Sequence, residues 1–321
     1  MSAPVVVAVV SWNTRDLLRA CLRSLEPDVR DGLAEVWVID NGSADGSQAM
    51  VREEFPAAHL VESERNLGFG PAVNQVAEQT ESAWLAPANA DVAVEPGAIE
   101  ALLAGAGGRA RVGCVAPRLV TREGATQHSV HVFPPLYLVT RSVPVGRISR
   151  RLGDRLLLEG AWDERRRRPV DWADGAFLLV RREAFDAVGG FDERQWMYAE
   201  DVDLAWRLAR TGWSTRYEPS AIVHHAVSAA ARDAFGSERV PRQIAALYTW
   251  IARRRGLRAA RLCAMFVVAV EAVKYAALRP FRPRLSPPWR LTLHRARVRV
   301  RVHRAGLRSR ARLIGGDRGG G

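Results

Sequence analysis

Val5-Val-Val-Ala-Val-Val-Ser-Trp-Asn-Thr14 decides the fold. An unbroken apolar run closed by Asn and Thr is the pattern of a strand covered on both faces, as in a parallel sheet. Working outward, Asp16–Leu25 carries Leu17, Leu18, Cys21, Leu22 and Leu25 at helical spacing. Val36-Trp-Val-Ile39 is a second buried strand, ending in the turn sequence Asp40-Asn-Gly-Ser43. His59–Glu62 reads as a short strand before Asn66-Leu-Gly-Phe-Gly70, and a helix from Pro71 carries Ala72, Val73, Val76 and Ala77. Trp84-Leu-Ala86 leads to Asn89-Ala-Asp91, and Pro96–Ala104 reads as another helix. Strand alternating with helix four times predicts an α/β fold with a mostly parallel sheet and right-handed crossovers. Asn13, Asp40, Asn66 and Asp91 each follow a strand, and open α/β sheets bind ligands outside the carboxyl ends of their strands. These four residues therefore map to one edge, a site of nucleotide size.

The 321 residues suffice for one large α/β domain with an appendage, or for two modest domains. Cys21, Cys114 and Cys263 are odd in number, far apart and without CxxC spacing. That pattern excludes a disulfide framework or a cysteine zinc site and suits a reducing compartment. The chain enters its first strand with no basic or cleavable leader ahead of it, which argues against export by a signal peptide. Charge is uneven. Residues 241–321 hold 20 Lys+Arg and two acids, a net of +18 against +12 overall, so residues 1–240 net −6. A cationic carboxyl-terminal region on an acidic body points to an anionic membrane surface or to nucleic acid.

The chemistry-bearing stretch is Trp196-Met-Tyr-Ala-Glu-Asp-Val-Asp-Leu-Ala-Trp-Arg207, after Gly189-Gly-Phe-Asp-Glu193. Glu200, Asp201 and Asp203 open a helix marked by Leu204 and Leu208, where acidic groups also favour the dipole. Asn89-Ala-Asp91 and His224 add groups able to hold a divalent metal. Ala176–Val180 reads as a strand, 182–188 as a helix, and Ser214–Tyr217 and Ala221–His224 as short strands. Residues 121–170 are irregular, and Arg165–Arg168 reads as solvated surface. Leu262–Val270 is too short and too closely bounded by Glu271 and Lys274 to span a bilayer. As a helix it has a charged side and an apolar side, suiting a membrane interface or packing on the α/β domain or a dimer partner. Arg297-Val-Arg-Val-Arg-Val302 alternates as an edge strand would, or is part of a disordered basic tail, and Gly315–Gly321 is expected to be mobile.

In order, Ser11-Trp-Asn13, Asp40-Asn-Gly-Ser-Ala-Asp-Gly46, Asn66-Leu-Gly-Phe-Gly-Pro-Ala-Val-Asn74, Asn89-Ala-Asp91, Asp174-Gly-Ala176, Gly190-Phe-Asp-Glu193, Glu200-Asp-Val-Asp203 and His224 resemble a family 2 glycosyltransferase of the GT-A fold, closest to the bacterial rhamnosyltransferase-like branch. The resemblance runs from about Val5 to Ser228. It implies a catalytic domain over 1–235, with a nucleotide-binding half (1–110) and an acceptor and catalytic half (111–235). An amphipathic helical membrane-association segment (236–285) and a basic, flexible tail (286–321) follow.

The resemblance also implies roles. Asp40 accepts from a pyrimidine N3–H, Ser11 and Asn13 line the base, and Asn66 with Gly68 lets the backbone approach base and ribose. The family's metal motif is often Asp-x-Asp. Here Asn89 takes the first place and binds ribose, leaving Asp91 as the carboxylate ligand of Mg²⁺ or Mn²⁺. His224, directly after Ile222-Val223, is preferred to His225 as a further ligand. Asp201 is the expected general base, Glu200 its neighbour near the acceptor, and Asp203 a brace. Asp174 and Gly175 lie beside donor sugar and diphosphate, while Trp172 and Trp196 either stack on sugar rings or pack in the core.

The expectation is an inverting, metal-dependent hexosyltransferase at the inner face of the plasma membrane. It passes L-rhamnose from dTDP-rhamnose, or a hexose from a UDP-sugar, to a polyprenyl-linked or polysaccharide acceptor of the cell envelope. The competing class is a nucleic-acid-binding protein acting through its tail. Few aromatics there, no reader motif and an acidic body argue against it.

Overall fold

In a computed structural model, which describes residues 3–108, 111–143, 149–195, 197–226 and 239–308, the amino-terminal apolar runs become parallel strands. The first half runs β1 (Val5–Ser11), α1 (Arg15–Arg30), β2 (Ala34–Asp40), α2 (Ser47–Glu54), β3 (His59–Glu62), α3 (Phe69–Gln79), β4 (Trp84–Asn89), β5 (Val92–Val94), α4 (Ala98–Gly105) and β6 (Val112–Val120). Then come β7 (Val130–His131), α5 (Leu136–Thr140), α6 (Arg150–Arg155), β8 (Arg168–Val170), β9 (Trp172–Ala173), β10 (Leu179–Arg181), α7 (Arg182–Ala187), α8 (Glu200–Arg210) and β11 (Ser214–His225). Helices α9 (Arg239–Arg255), α10 (Leu257–Leu278) and α11 (Pro287–Arg308) complete the described chain.

Two units emerge, Met1–His131 with Asp163–Gly236, and Val132–Trp162 with Ser237–Gly321. In the first, the main sheet has the order β3-β2-β1-β4-β10-β6-β11-β5, with β8 on β11. Strands β3, β2, β1 and β4 are mutually parallel, so their carboxyl ends share one edge. Strand β10 runs antiparallel between β4 and β6, while β11 is parallel to β6 and antiparallel to β5. The predicted mostly parallel α/β sheet is therefore present. Val5, Val7 and Val9 are wholly buried with Leu18 and Cys21 of α1, the outcome that an unbroken apolar strand beside an amphipathic helix dictates.

The expected short strands Ser214–Tyr217 and Ala221–His224 form one strand, β11, whose pairing with β6 shifts register between Glu218 and Ile222. Glu218 sits at this irregularity, 1 % exposed, paired with Arg167 and accepting from Ser220 Oγ at 2.6 Å. The run Arg165–Arg168 is thus not uniformly solvated surface.

In the second unit, residues 132–162, read from sequence with the acceptor half, group with the carboxyl-terminal helices. The alternating stretch Arg297–Val302 lies inside α11. Alternation over six residues is too short a window to set a period. Leu293, Ala296, His303 and Gly306 are all buried, and their spacing gives α11 one helical face. A Cβ on Gly306 would lie 2.6 Å from the Tyr248 ring and 2.7 Å from the Ala264 Cβ, so the close approach requires glycine. Tyr248 donates its hydroxyl to His303 Nδ1 at 2.8 Å; burial, then Arg299, pushes His303 down to about 4, so the imidazole is neutral and accepts. The end of the expected flexible tail, Gly315–Gly321 included, lies outside the described residues.

Candidate active site

The loops after β1 and β2 are sewn together at the carboxyl edge. Asn13, at φ 52°, donates its backbone N–H to Ser43 Oγ (2.9 Å) and accepts from the Ala44 N–H on Oδ1 (2.8 Å). Asp45 accepts from the Arg15 N–H at 2.8 Å and from Ser47; against the upward push of burial, these hydrogen bonds hold its carboxyl below the usual range. Ser11 and Thr14 share a hydroxyl contact of 3.0 Å. Asp40 closes its own turn through Oδ1, accepting from the Ser43 N–H and from Gln48 Nε2, both at 2.8 Å. Its other oxygen, Oδ2, is buried without a protein partner. Asn66 accepts from the Gly68 N–H at 2.9 Å, and Gly68 turns at φ 89° into α3. Asn41, not singled out from sequence, donates to Gly68 O at 3.3 Å and keeps an unpartnered buried Oδ1. Two orphaned acceptors on one edge are unusual, because buried polar groups are nearly always satisfied.

Asn89 ends β4, its N–H donating to Ala176 O at 2.9 Å, and Asp91 follows, 8 % exposed. The structure places His225, not His224, beside Asp91, with Nε2 3.4 Å from Oδ1. His224 points to the opposite face, 41 % exposed, and donates to Glu95 Oε1 at 2.7 Å. Successive strand residues alternate faces, and His225 shares a face with buried Ala221 and Val223. His224, the expected partner of Asp91, thus lies on the other face, and His225 is the histidine beside Asp91.

Gln127 fixes the His225 ring. Its Nε2 donates to His225 O at 2.8 Å, so its Oε1, 3.0 Å from Nδ1, must face a ring N–H. In the neutral ring, Nε2 then presents a lone pair toward Asp91. That buried Nε2 lacks a hydrogen-bond partner, and nitrogen facing carboxylate oxygen fits a cation held between them. Among the described residues no cluster of three or more His, Cys, Asp and Glu forms a cage of its own.

The third group of polar residues surrounds the start of α8. Tyr198 (φ 64°) and Ala199 (φ 65°) are both left-handed, a conformation that costs on the order of 1 kcal/mol per residue and clusters at functional sites. It delivers Asp201 to the β9 loop, where Oδ2 accepts from the Gly175 N–H at 3.0 Å and Oδ1 from its neighbour's Val202 N–H at 2.7 Å. Burial, then the charges of Glu200 and Asp174, pushes Asp201 well above the usual carboxylate range. Burial likewise pushes Glu200 up to about 7, and its Oε2 has no protein partner. Asp174 accepts from His131 Nε2 at 3.0 Å, a partner not singled out from sequence because the two are 43 residues apart.

Asp203 is a brace: it holds Arg207 at 2.7 Å, which in turn donates to the carbonyls of Val188 and Gly190. Trp172 is 5 % exposed with its ring 4.4 Å from that of His131, so it packs in the core rather than offering a face to a sugar. Trp196 lies outside the described residues.

The raised Glu200 carboxyl sets a pH dependence. Above its ordinary 4.5 the unfolded chain loses this proton, while the folded chain keeps it until about 7, so stability falls as pH rises through that window. Glu200→Gln is expected to remove up to about 3 kcal/mol of that slope and raise Tm at pH 8 relative to wild type. Thermal unfolding at pH 5 and pH 8 measures it, and parallel profiles for both proteins would refute it.

Comparison with known proteins bears on the family and the fold. The family described as "Glycosyl transferase family 2" matches residues 6–164, and "Glycosyl transferase family group 2" matches residues 124–273. The N-acetylglucosaminyl-diphospho-decaprenol L-rhamnosyltransferase of Mycobacterium tuberculosis is 38 % identical over 210 residues, covering 62 % of this chain and 68 % of that one. Rhamnosyltransferase WbbL of Escherichia coli is 38 % identical over 88 residues, 27 % of this chain and 32 % of its own. In fold, the chain is similar to mannosyltransferase PcManGT from Pyrobaculum calidifontis, solved with GDP-Man and Mn²⁺. The TM-score is 0.60 at 18 % identity, over 96 % of this chain and 86 % of that one. With an α/β sheet of the GT-A kind and ordered motifs along its carboxyl edge, the chain belongs to the family 2 glycosyltransferases, in their rhamnosyltransferase-like branch.

Proposed function

We propose that this glycosyltransferase moves L-rhamnose from dTDP-rhamnose to a polyprenyl-linked or polysaccharide acceptor of the cell envelope, in the cytoplasm at the inner face of the plasma membrane. The observation that carries the donor and acceptor is the 38 % identity to a rhamnosyltransferase named for a decaprenol-linked substrate. The geometry supports the chemistry. Asp40, with its unpartnered oxygen at the strand edge, accepts from the pyrimidine N3–H, and Asn41 offers a second acceptor there. Ser11, Asn13, Asn66 and Gly68 shape the base and ribose pocket, and Asn89 contributes to the ribose.

Asp91 and His225 would hold a divalent ion, Mg²⁺ or Mn²⁺, and such an ion would supply positive charge against the leaving diphosphate. Asp201 takes the proton of the acceptor hydroxyl as that oxygen attacks the anomeric carbon from the side opposite the diphosphate, giving inversion. A carboxylate whose proton affinity has been raised by burial suits that task better than one left in water. Glu200 lies next to the acceptor, and Asp174 and Gly175 line the donor sugar.

A thermal-shift screen tests the reading. Nucleoside diphosphates and their sugars are titrated with Mn²⁺ or Mg²⁺. Thymidine and uridine diphosphate compounds are expected to stabilise most, by about 2.7 kcal/mol at a hundredfold excess over Kd. A purine preference, or no response to any sugar nucleotide, would overturn it.

A further inference from the structure

Helix α10 turns one side inward. Ala260, Cys263, Ala264, Val267 and Glu271 are buried, at the spacing of a single helical face. The opposite side is apolar as well: Leu262 is 61 % exposed, Met265 50 %, Phe266 46 % and Val273 68 %. From Leu262 to Val273 the stripe runs about 17 Å at 1.5 Å per residue, and beyond the helix Phe281 and Trp289 are exposed too. Large apolar side chains gathered on one exposed face mark an interaction surface. Among the described residues no helix is long and apolar enough to cross a membrane.

Charge identifies the occupant. Residues 239–308 hold 18 Lys+Arg and one acid, Glu271. That carboxylate is 1 % exposed, engaged by Lys274 Nζ at 3.2 Å and Arg299 Nη1 at 3.1 Å. The described surface of residues 239–308 therefore presents no exposed carboxylate. Arg258 and Arg261 stand at one end of the stripe, and Arg279, Arg282 and Arg284 at the other, all exposed. A second copy presenting this same face, the contact of a symmetric dimer, would set arginine against arginine with no carboxylate to pair. A nucleic acid would satisfy the arginines and leave the apolar side chains against phosphate. An anionic bilayer satisfies both, taking the apolar side chains below the headgroups and the guanidinium groups among them.

We infer that the outer face of α10, with the turn that follows it, docks flat on an anionic lipid surface. The inference does not depend on which sugar or acceptor is used, and its test needs neither. The full chain is co-sedimented with vesicles of phosphatidylglycerol and phosphatidylcholine, and with phosphatidylcholine alone. Wild type is expected on the anionic vesicles, with binding weakened by salt. The triple variant L262S/F266S/V273S is expected to partition at least about tenfold less, since the apolar area it exposes is what the bilayer buries. Its Tm and its thermal shift with nucleotide are expected to match wild type, because all three side chains face outward. A second variant, R258E/R261E, is expected to lose the preference for anionic vesicles. Wild type staying in the supernatant, or the triple variant binding as tightly as wild type, overturns the inference. So does a wild-type dimer that the triple variant converts to monomer, which assigns the face to self-association.

Discussion

Asp201→Asn is expected to lower kcat by about two to four orders of magnitude, the range that a positioned general base supplies. The carboxylate is locked by two main-chain donors, the Gly175 N–H at 3.0 Å and the Val202 N–H at 2.7 Å. Asparagine keeps its volume but has one acceptor oxygen, so one of those donors faces an NH₂ group instead. The cost is about 1–3 kcal/mol of stability if that donor stays unsatisfied, which a melting curve reports separately from catalysis. The decisive comparison is kcat against donor affinity. Loss of the base leaves nucleotide binding within about threefold while turnover collapses, because only the transition state uses the proton transfer. Normal turnover by this variant would refute the assignment and move attention to Glu200.

The second large effect separates two adjacent histidines. Asp91→Ala and His225→Ala are each expected to weaken metal-dependent donor binding by about 100-fold or more, since even an outer-shell partner costs 10–100-fold. His224→Ala is expected to change it little, its ring being engaged with Glu95 on the other face of β11. Gln127→Leu, which removes the amide that sets the His225 tautomer, is expected to fall between them, at about tenfold. Calorimetric titration of the nucleoside diphosphate at several Mn²⁺ concentrations measures all four. Equal losses from the two histidines, or a larger one from His224, would reverse the assignment.

The fold was legible because parallel strands buried on both faces must be continuously apolar, and Val5–Val10 and Val36–Ile39 are. Asn13, Asp40, Asn66 and Asp91 were expected at one edge for a related reason: polar residues that follow parallel strands map to the sheet's carboxyl edge. The choice between His224 and His225 was not legible. Ile222 and Val223 are both apolar, so the pattern carries no parity, and the register shift after Glu218 depends on pairing with β6, about a hundred residues away. The alternation of Arg297–Val302 misled for want of a longer window. Partners such as His131 for Asp174 and Gln127 for His225 arise from tertiary contact and leave no local mark.

The anchoring of Asp201 by peptide N–H groups has an evolutionary corollary. Each donor belongs to the main chain, so neighbouring side chains can drift through generations of substitution while the Asp201 carboxylate, the proposed base, stays in register. Proline is the exception: at position 175 or 202 it would delete a donor outright. Homologues of divergent specificity should thus vary widely around this carboxylate yet avoid that one residue beside it.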